Sequence, residues 1–261
     1  MRKVAFLGCG AINTIVAEYV TKEGFAEIIG AYDIYPEAID KLKEKIQNPN
    51  IQAVTNIEEL IALKPDVIVE AASPDAAAKY DPRILENGID VVSLDTGIMS
   101  QQYDQLTEIT KRVGSKIYFP SGAIGGIDMI LSMAQEGIDE LTITTTKKPQ
   151  NLQGYNHLTK KTEIFNGFAS EAIKKFPKNV NVAVTLSFAA NKEAKVIIVA
   201  DPNIQHNQHE INAKSQHVDF YTRVSNIPSS DNPKTSYSAA LSAVQILKQA
   251  VGYQQTVKVG N

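Results

Sequence analysis

Cysteine is nearly absent: Cys9 is the single one in 261 residues, so no disulfide can close within the chain. Positive charge is not in excess, since 26 Lys and Arg against 29 Asp and Glu leave a formal charge of −3. A polynucleotide backbone therefore meets no electropositive field, which argues against nucleic acid as a partner. No apolar run approaches the roughly 18 residues of a membrane span, which argues against a membrane partner. One cysteine and four histidines, His157, His206, His209 and His217, show no metal-ligand spacing. No G-x-S-x-G elbow follows a strand, which removes a serine-hydrolase reading. Internal repeats and low-complexity stretches are absent too. The first strand-like run starts two residues after Met1, which leaves no room for a signal peptide and gives the expectation of a cytoplasmic protein.

What is present is ordinary globular composition, 43% hydrophobic and 21% charged, enough for one large domain or two modest ones. Strand candidates at Val4 to Gly8, Ile28 to Asp33, Ile51 to Val54, Asp66 to Ala71, Asp90 to Leu94 and Lys116 to Phe119 alternate with segments of helix length. Several are continuously apolar, as strands buried on both faces must be. The alternation predicts right-handed crossovers and a parallel sheet. Pro36 suits a first helical turn, and Asn87-Gly88 supplies a left-handed stop. After Pro120 the texture changes. Leu141 to Thr146, Ala194 to Asp201, Gln208 to Ser215 and His217 to Val224 read as antiparallel strands joined by short turns. Helical pieces at Ile127 to Gln135 and Ala169 to Lys175 interrupt them, and Val180 to Phe188 reads as strand by period alone. A last amphipathic helix opens at Asn232-Pro233.

Gly8-Cys9-Gly10-Ala11-Ile12-Asn13 follows a strand and opens a helix, the context that a dinucleotide-binding loop requires. The first glycine permits the tight turn, and the second lets backbone N–H groups approach a pyrophosphate at the positive end of the helix. Asn13 stands where a third glycine normally brings helix and strand close, so its side chain is expected to point away or to hold the helix off. Asp33, ending the second strand, lies 33 − 10 = 23 residues after Gly10, near the distance expected of an acid that binds a ribose 2′-hydroxyl. That favours NAD, with NADP possible; the alternative is that Asp33 caps the helix near Pro36. Cys9 is either a thiolate favoured by the helix N-terminus or simply a small residue.

Ser121-Gly122-Ala123-Ile124-Gly125-Gly126-Ile127-Asp128 places three glycines after the last parallel strand. Such backbone approaches a ligand closely or serves as a hinge. Ligands of open parallel sheets bind at the carboxyl ends of the strands, so this loop, the turn Ala72-Ser73-Pro74 and the Gly8 loop are expected to line one crevice. His157 reads as exposed. If the segment around His209 is strand, Asn207 and His209 share one face and Glu210 takes the other, so Glu210 cannot orient the His209 ring.

These strings resemble the L-aspartate dehydrogenase family, in Gly8-Cys9-Gly10-Ala11-Ile12, Glu70-Ala71-Ala72-Ser73, Ser121 to Asp128, Ala169-Ser170-Glu171-Ala172 with Phe176-Pro177-Lys178-Asn179, Asn207-x-His209-Glu210-Ile211, and Asn232 to Tyr237. The resemblance implies an α/β chain. A Rossmann domain with a doubly wound parallel sheet would hold residues 1–119 plus 233–261, and a second α+β domain, 120–232, would carry the substrate site and a homodimer contact. It implies that Ala123 and Asn207 touch the cofactor, that His209 is the active-site residue, and that Val180 to Phe188 is helical. NAD(P)-dependent oxidation of L-aspartate to iminoaspartate, then oxaloacetate and ammonia, would feed NAD biosynthesis. A histidine of ordinary pKa, about 6.5, suits the proton transfer, and Lys147, Lys148 and Lys234 stand open as partners for the substrate carboxylates. Competing readings are a two-domain dehydrogenase or reductase acting on homoserine or dihydrodipicolinate, and a non-catalytic nucleotide-sensing module.

Overall fold

A strand buried on both faces sends successive apolar side chains to two different cores, and the first half of the chain is built on that rule. The computed structural model describes residues 1–176, 181–227 and 236–253. The chain divides into two units, Met1–Pro120 joined by most of the C-terminal helix, and Ser121–Ala239.

In the first unit β1 (Lys3–Leu7), α1 (Ala11–Glu23), β2 (Glu27–Tyr32), α2 (Pro36–Lys45), β3 (Gln52–Val54), α3 (Ile57–Ala62), β4 (Val67–Glu70), α4 (Pro74–Glu86), β5 (Asp90–Ser93), α5 (Gly97–Val113) and β6 (Ile117–Tyr118) follow in order. The strands form a wholly parallel sheet in the order β3-β2-β1-β4-β5-β6, so β1 lies at the centre and its loop opens beside that of β4. Val4, Phe6, Val67 and Val69 pack with Val16, Val20, Ile39 and Leu42 of α1 and α2. Ala5, Leu7 and Ile68 turn the other way, onto Ile84, Leu85, Leu106 and Ile109 of α4 and α5.

Two local devices shape this unit. Pro82 lies inside α4 and cannot donate to the carbonyl one turn back, which in a helix interior costs about 3 kcal/mol or more. Gln102 of α5 fills the gap, its Nε2 donating to the Ala78 carbonyl at 3.2 Å. The second is Asn13. It does not point away from the strand. It is wholly buried, and its Nδ2 donates to the carbonyls of Gly8 at 2.7 Å, Val69 at 3.1 Å and Leu7 at 3.2 Å. The amide replaces close helix packing by glycine with a polar staple joining α1, β1 and β4.

The second unit holds α6 (Ile127–Met133), β7 (Glu140–Lys147), β8 (Thr162–Phe168), α7 (Ala169–Lys175), α8 (Asn181–Ala189), β9 (Lys195–Ala200), β10 (Asn207–Lys214) and β11 (Asp219–Asn226). Its sheet runs β11-β10-β7-β9-β8. It is mixed, because β7 and β9 pair in parallel while the other neighbours are antiparallel, a correction to the antiparallel expectation. Ala183, Val184 and Leu186 are all buried on α8, so the alternation of residues 180–188 misleads and the helix implied by the family resemblance is what forms. A segment apolar nearly all round carries no usable period; Val180 itself lies outside the described residues. The last helix, α9 (Tyr237–Ala250), returns Ala243, Val244 and Leu247 to the core of the first unit. The expected opening at Asn232-Pro233, Lys234 and the string Pro177-Lys178-Asn179 also lie outside the described residues. No helix among the described residues is long and apolar enough to cross a membrane.

Removing the Asn13 staple should loosen the first unit. Asn13→Ala is expected to lower the unfolding free energy by about 1–3 kcal/mol, the scale for removing a buried hydrogen-bond donor from its acceptors. Urea denaturation checks this, and a loss within experimental error would show that the staple contributes nothing.

Candidate active site

Two neighbouring strands of the second unit turn polar at the same end. In β7 the row facing the core runs Leu141, Ile143, Thr145, Lys147, and in β10 it runs Ala213, Ile211, His209, Asn207. The register pairs Leu141 with Ala213, Ile143 with Ile211 and Thr145 with His209. The first two pairs sit in the core; the third is a polar contact, His209 Nδ1 to Thr145 Oγ1 at 2.9 Å. Both residues are buried. The cluster is thus an extension of the core row, in which burial is set by the apolar pairs beneath it.

Burial decides the charges. His209 does not keep the ordinary value expected of it: desolvation, then the nearby Lys147 ammonium, push its pKa down to about 3, so the ring is neutral at physiological pH. Lys147 is itself lowered to about 8 by desolvation. Lys148 is exposed, which separates two of the three lysine candidates. Glu210 faces the other way and accepts from the Tyr221 hydroxyl at 2.7 Å, in keeping with the expected alternation. His157 is exposed, and His217 is tied to Glu136 at 2.7 Å.

Ala123 and Asn207 meet through a residue that the sequence reading missed. Asn226, buried at the end of β11, is the register partner of Asn207, and its Nδ2 donates to the Ala123 carbonyl at 2.9 Å. Thr145 was missed as well, although period two from Leu141 already places it on the core face. Of the glycines beside Ala123, Gly126 has φ +79°, and a Cβ there would stand 2.4 Å from the Phe220 ring. Its close approach is to the protein's own β11, not to a ligand.

In the first unit the Gly8 loop follows β1. Gly8 has φ +83°, and a Cβ on it would come within 2.8 Å of Ala72 Cα, so the β1 and β4 loops press together only because the residue is glycine. Gly10 is the N-cap of α1 with no side-chain cap and no acidic residue in the first turn, and a Cβ on it would meet nothing within 4 Å. Ala11 and Ile12 begin the helix, so the N–H groups of its first turn have no side-chain cap, the arrangement a pyrophosphate needs. Asp33 does not cap α2, whose N-cap is Tyr35. Its Oδ2 accepts from the Cys9 N–H at 2.7 Å and its Oδ1 from the Tyr35 N–H at 2.9 Å, which leaves each oxygen a lone pair for a ribose hydroxyl. Ser73 is the N-cap of α4, its Oγ accepting from the Ala76 N–H at 3.2 Å. No cluster of metal-ligating side chains occurs among the described residues.

Comparison with known proteins matches two family models. Residues 128–250 fit the one described as aspartate dehydrogenase, C-terminal, and residues 8–120 the one described as homoserine dehydrogenase, NAD binding domain. An L-aspartate dehydrogenase of Archaeoglobus fulgidus is 40% identical over 94% of this chain and 96% of its own. That of Methanococcoides burtonii is 37% identical over 95% and 97%. The crystal structure of the Thermotoga maritima aspartate dehydrogenase covers all of both chains at 26% identity with a TM-score of 0.76.

Cys9 is held as a thiol. Its side chain is buried, and desolvation, followed by the Asp33 carboxylate, raises the thiol to about 12, against the thiolate that a helix N-terminus alone would favour. Iodoacetamide at neutral pH should therefore leave the folded chain nearly unlabelled and modify the thiol once guanidinium unfolds it. Rapid labelling of the folded protein would contradict this.

Proposed function

Because the chain belongs to the L-aspartate dehydrogenase family, we propose that it oxidises L-aspartate to iminoaspartate, which water converts to oxaloacetate and ammonia. The observation that carries this reading is the buried contact of neutral His209 with Thr145 beside the Lys147 ammonium. We assign the dinucleotide to residues 1–119 plus 233–261 and the substrate to 120–232. Gly8, Gly10, Ala11 and Ile12 would hold the pyrophosphate, Asp33 the ribose, and Ala72, Ser73, Ala123 and Asn207 further parts of the cofactor. When bound, NAD supplies the acceptor for the hydride leaving the α-carbon.

The chain's own residues handle the proton. His209 acts as a base through Nε2 in the tautomer whose Nδ1 keeps its hydrogen, and the Thr145 hydroxyl can accept that hydrogen. In the free chain Lys147 disfavours the imidazolium. A substrate carboxylate paired with Lys147 offsets that charge, the smaller of the two effects that lower His209, after desolvation, and so raises the basicity of the ring. The proton from the amino group then passes to Nε2. Lys147 is charged below about pH 8, and carboxylate binding weakens above it. The same reading makes the enzyme a cytoplasmic homodimer whose product feeds NAD biosynthesis.

An assay of amino acids with NAD and NADP tests the substrate. L-Aspartate should turn over, L-glutamate and homoserine hardly at all; equal rates with homoserine would overturn the assignment. In that assay His209→Ala should lower kcat by roughly 10²-fold or more, the usual scale for a positioned proton-transfer group, with little change in NADH affinity or Tm. Lys147→Met should act chiefly on the KM for aspartate.

The Asp33 carboxylate repels a 2′-phosphate and accepts from a 2′-hydroxyl, so NAD should bind better than NADP. Asp33→Ser should narrow the ratio of the two Kd values. An unchanged ratio would leave Asp33 only its backbone contacts with Cys9 and Tyr35.

A further inference from the structure

Glu70 and Asp81 are two fully buried carboxyl groups in the first unit, and the proposed chemistry uses neither. Glu70 ends β4. Its Oε1 accepts from the Ala72 N–H at 2.8 Å, its carboxyl also accepts from the Ser73 N–H, and its Oε2 faces the Ser93 hydroxyl of β5 at 3.4 Å. Asp81 approaches from α4, and neither of its oxygens has a partner in hydrogen-bonding geometry. Ser93 lies near it as well, but a hydroxyl carries one proton and can serve one acceptor at a time. Among the described residues, the further charge acting on both is Asp95, also negative. Two adjacent carboxylates in such surroundings cannot both ionise. Burial keeps both protonated at neutral pH, against the smaller opposing effect of the backbone donors on Glu70, and Asp81 loses its proton as pH rises past about 8.

We propose that Glu70 and Asp81 form a proton-holding pair that fixes the Ala72–Ser73 turn against the Gly8 loop, making Glu70 a positioning residue for dinucleotide binding. The inference rests on the reading that the Gly8 loop holds the dinucleotide. Gly8 and Ala72 already stand closer than any side chain between them would allow, so the loop has its shape only while the turn stays in place. Loss of the Asp81 proton sets a buried charge beside the Glu70 carboxyl, and movement of Glu70 releases the Ala72 and Ser73 N–H groups. Burial raises Asp81 to about 8 and Glu70 well above the usual carboxylate range, which puts the loss just above neutrality.

NADH titration by fluorescence, from about pH 6 to about pH 10, tests the pair. For one linked proton the wild-type affinity should fall by up to about tenfold per pH unit above about pH 8. Asp81→Asn keeps the shape of the protonated acid and cannot ionise, so its affinity should match wild type at pH 6 and stay level as pH rises. At pH 7, Glu70→Ala should weaken NADH by tenfold or more, and Glu70→Gln, which keeps an acceptor for Ala72, should restore most of it. Melting of the ligand-free chain gives a second readout. The folded chain holds a proton that the unfolded one loses near pH 4, so Asp81 costs stability increasingly from about pH 4 to about pH 8 and evenly above. The Tm gap between Asp81→Asn and wild type should therefore widen across that window. A level wild-type affinity above pH 8, or parallel profiles in wild type and Asp81→Asn, would overturn the proposal alone. Failure of NADH to bind at any pH would overturn the dinucleotide reading and the proposal with it.

Discussion

In both sheets the alternation of side chains along a strand decides what is buried and where polar groups gather. Every residue of β1 after Lys3 is buried, because its two faces are covered by two sets of helices, and polar chemistry is driven to the loops beyond the strand ends. In the mixed sheet the alternation has a different use. Row by row, β7 and β10 stay apolar through Ile143 and Ile211 and then place Thr145 against His209. A shift of one residue in that register would turn the imidazole to the other face together with the whole apolar row beneath it. The position of His209 is therefore protected by the packing energy of the apolar pairs beneath it.

Exclusion of water is the common theme of the charges. The same desolvation that keeps His209 neutral also lowers Lys147, raises the Cys9 thiol and holds protons on the Glu70 and Asp81 pair. Each group then responds to the next charge that arrives, since one charge in a dry site acts far more strongly than in water. Asp33 differs from these groups in that its side chain is partly exposed.

Much of this was legible in the sequence. The strand and helix order of the first unit, the Gly8 turn and the shared face of Asn207 and His209 all follow from period and glycine placement. Three features did not. Asn13 looked like a defect in a glycine pattern, because nothing local reveals that its amide meets carbonyls of two strands. β8 went unread, since Glu163, Asn166 and Gly167 break its apolar period. The parallel pairing of β7 with β9 depends on which strands become neighbours, and short turns between later strands suggest otherwise. The Glu70 and Asp81 pair was invisible for a similar reason: eleven residues apart in sequence, they meet only once α4 has folded back over the end of β4.

Pro82 carries a consequence for how the first unit assembles. In an unbroken helix the interior carbonyls are paired within the helix itself. In α4 the carbonyl of Ala78 is left to solvent until Gln102 arrives from α5. The two helices are thereby tied into one cooperative element, in which α4 reaches its full stability only with α5 in place. Asp81, the residue before the proline, lies in that same turn, so its dry surroundings come into being at the docking step and not when the helix first winds.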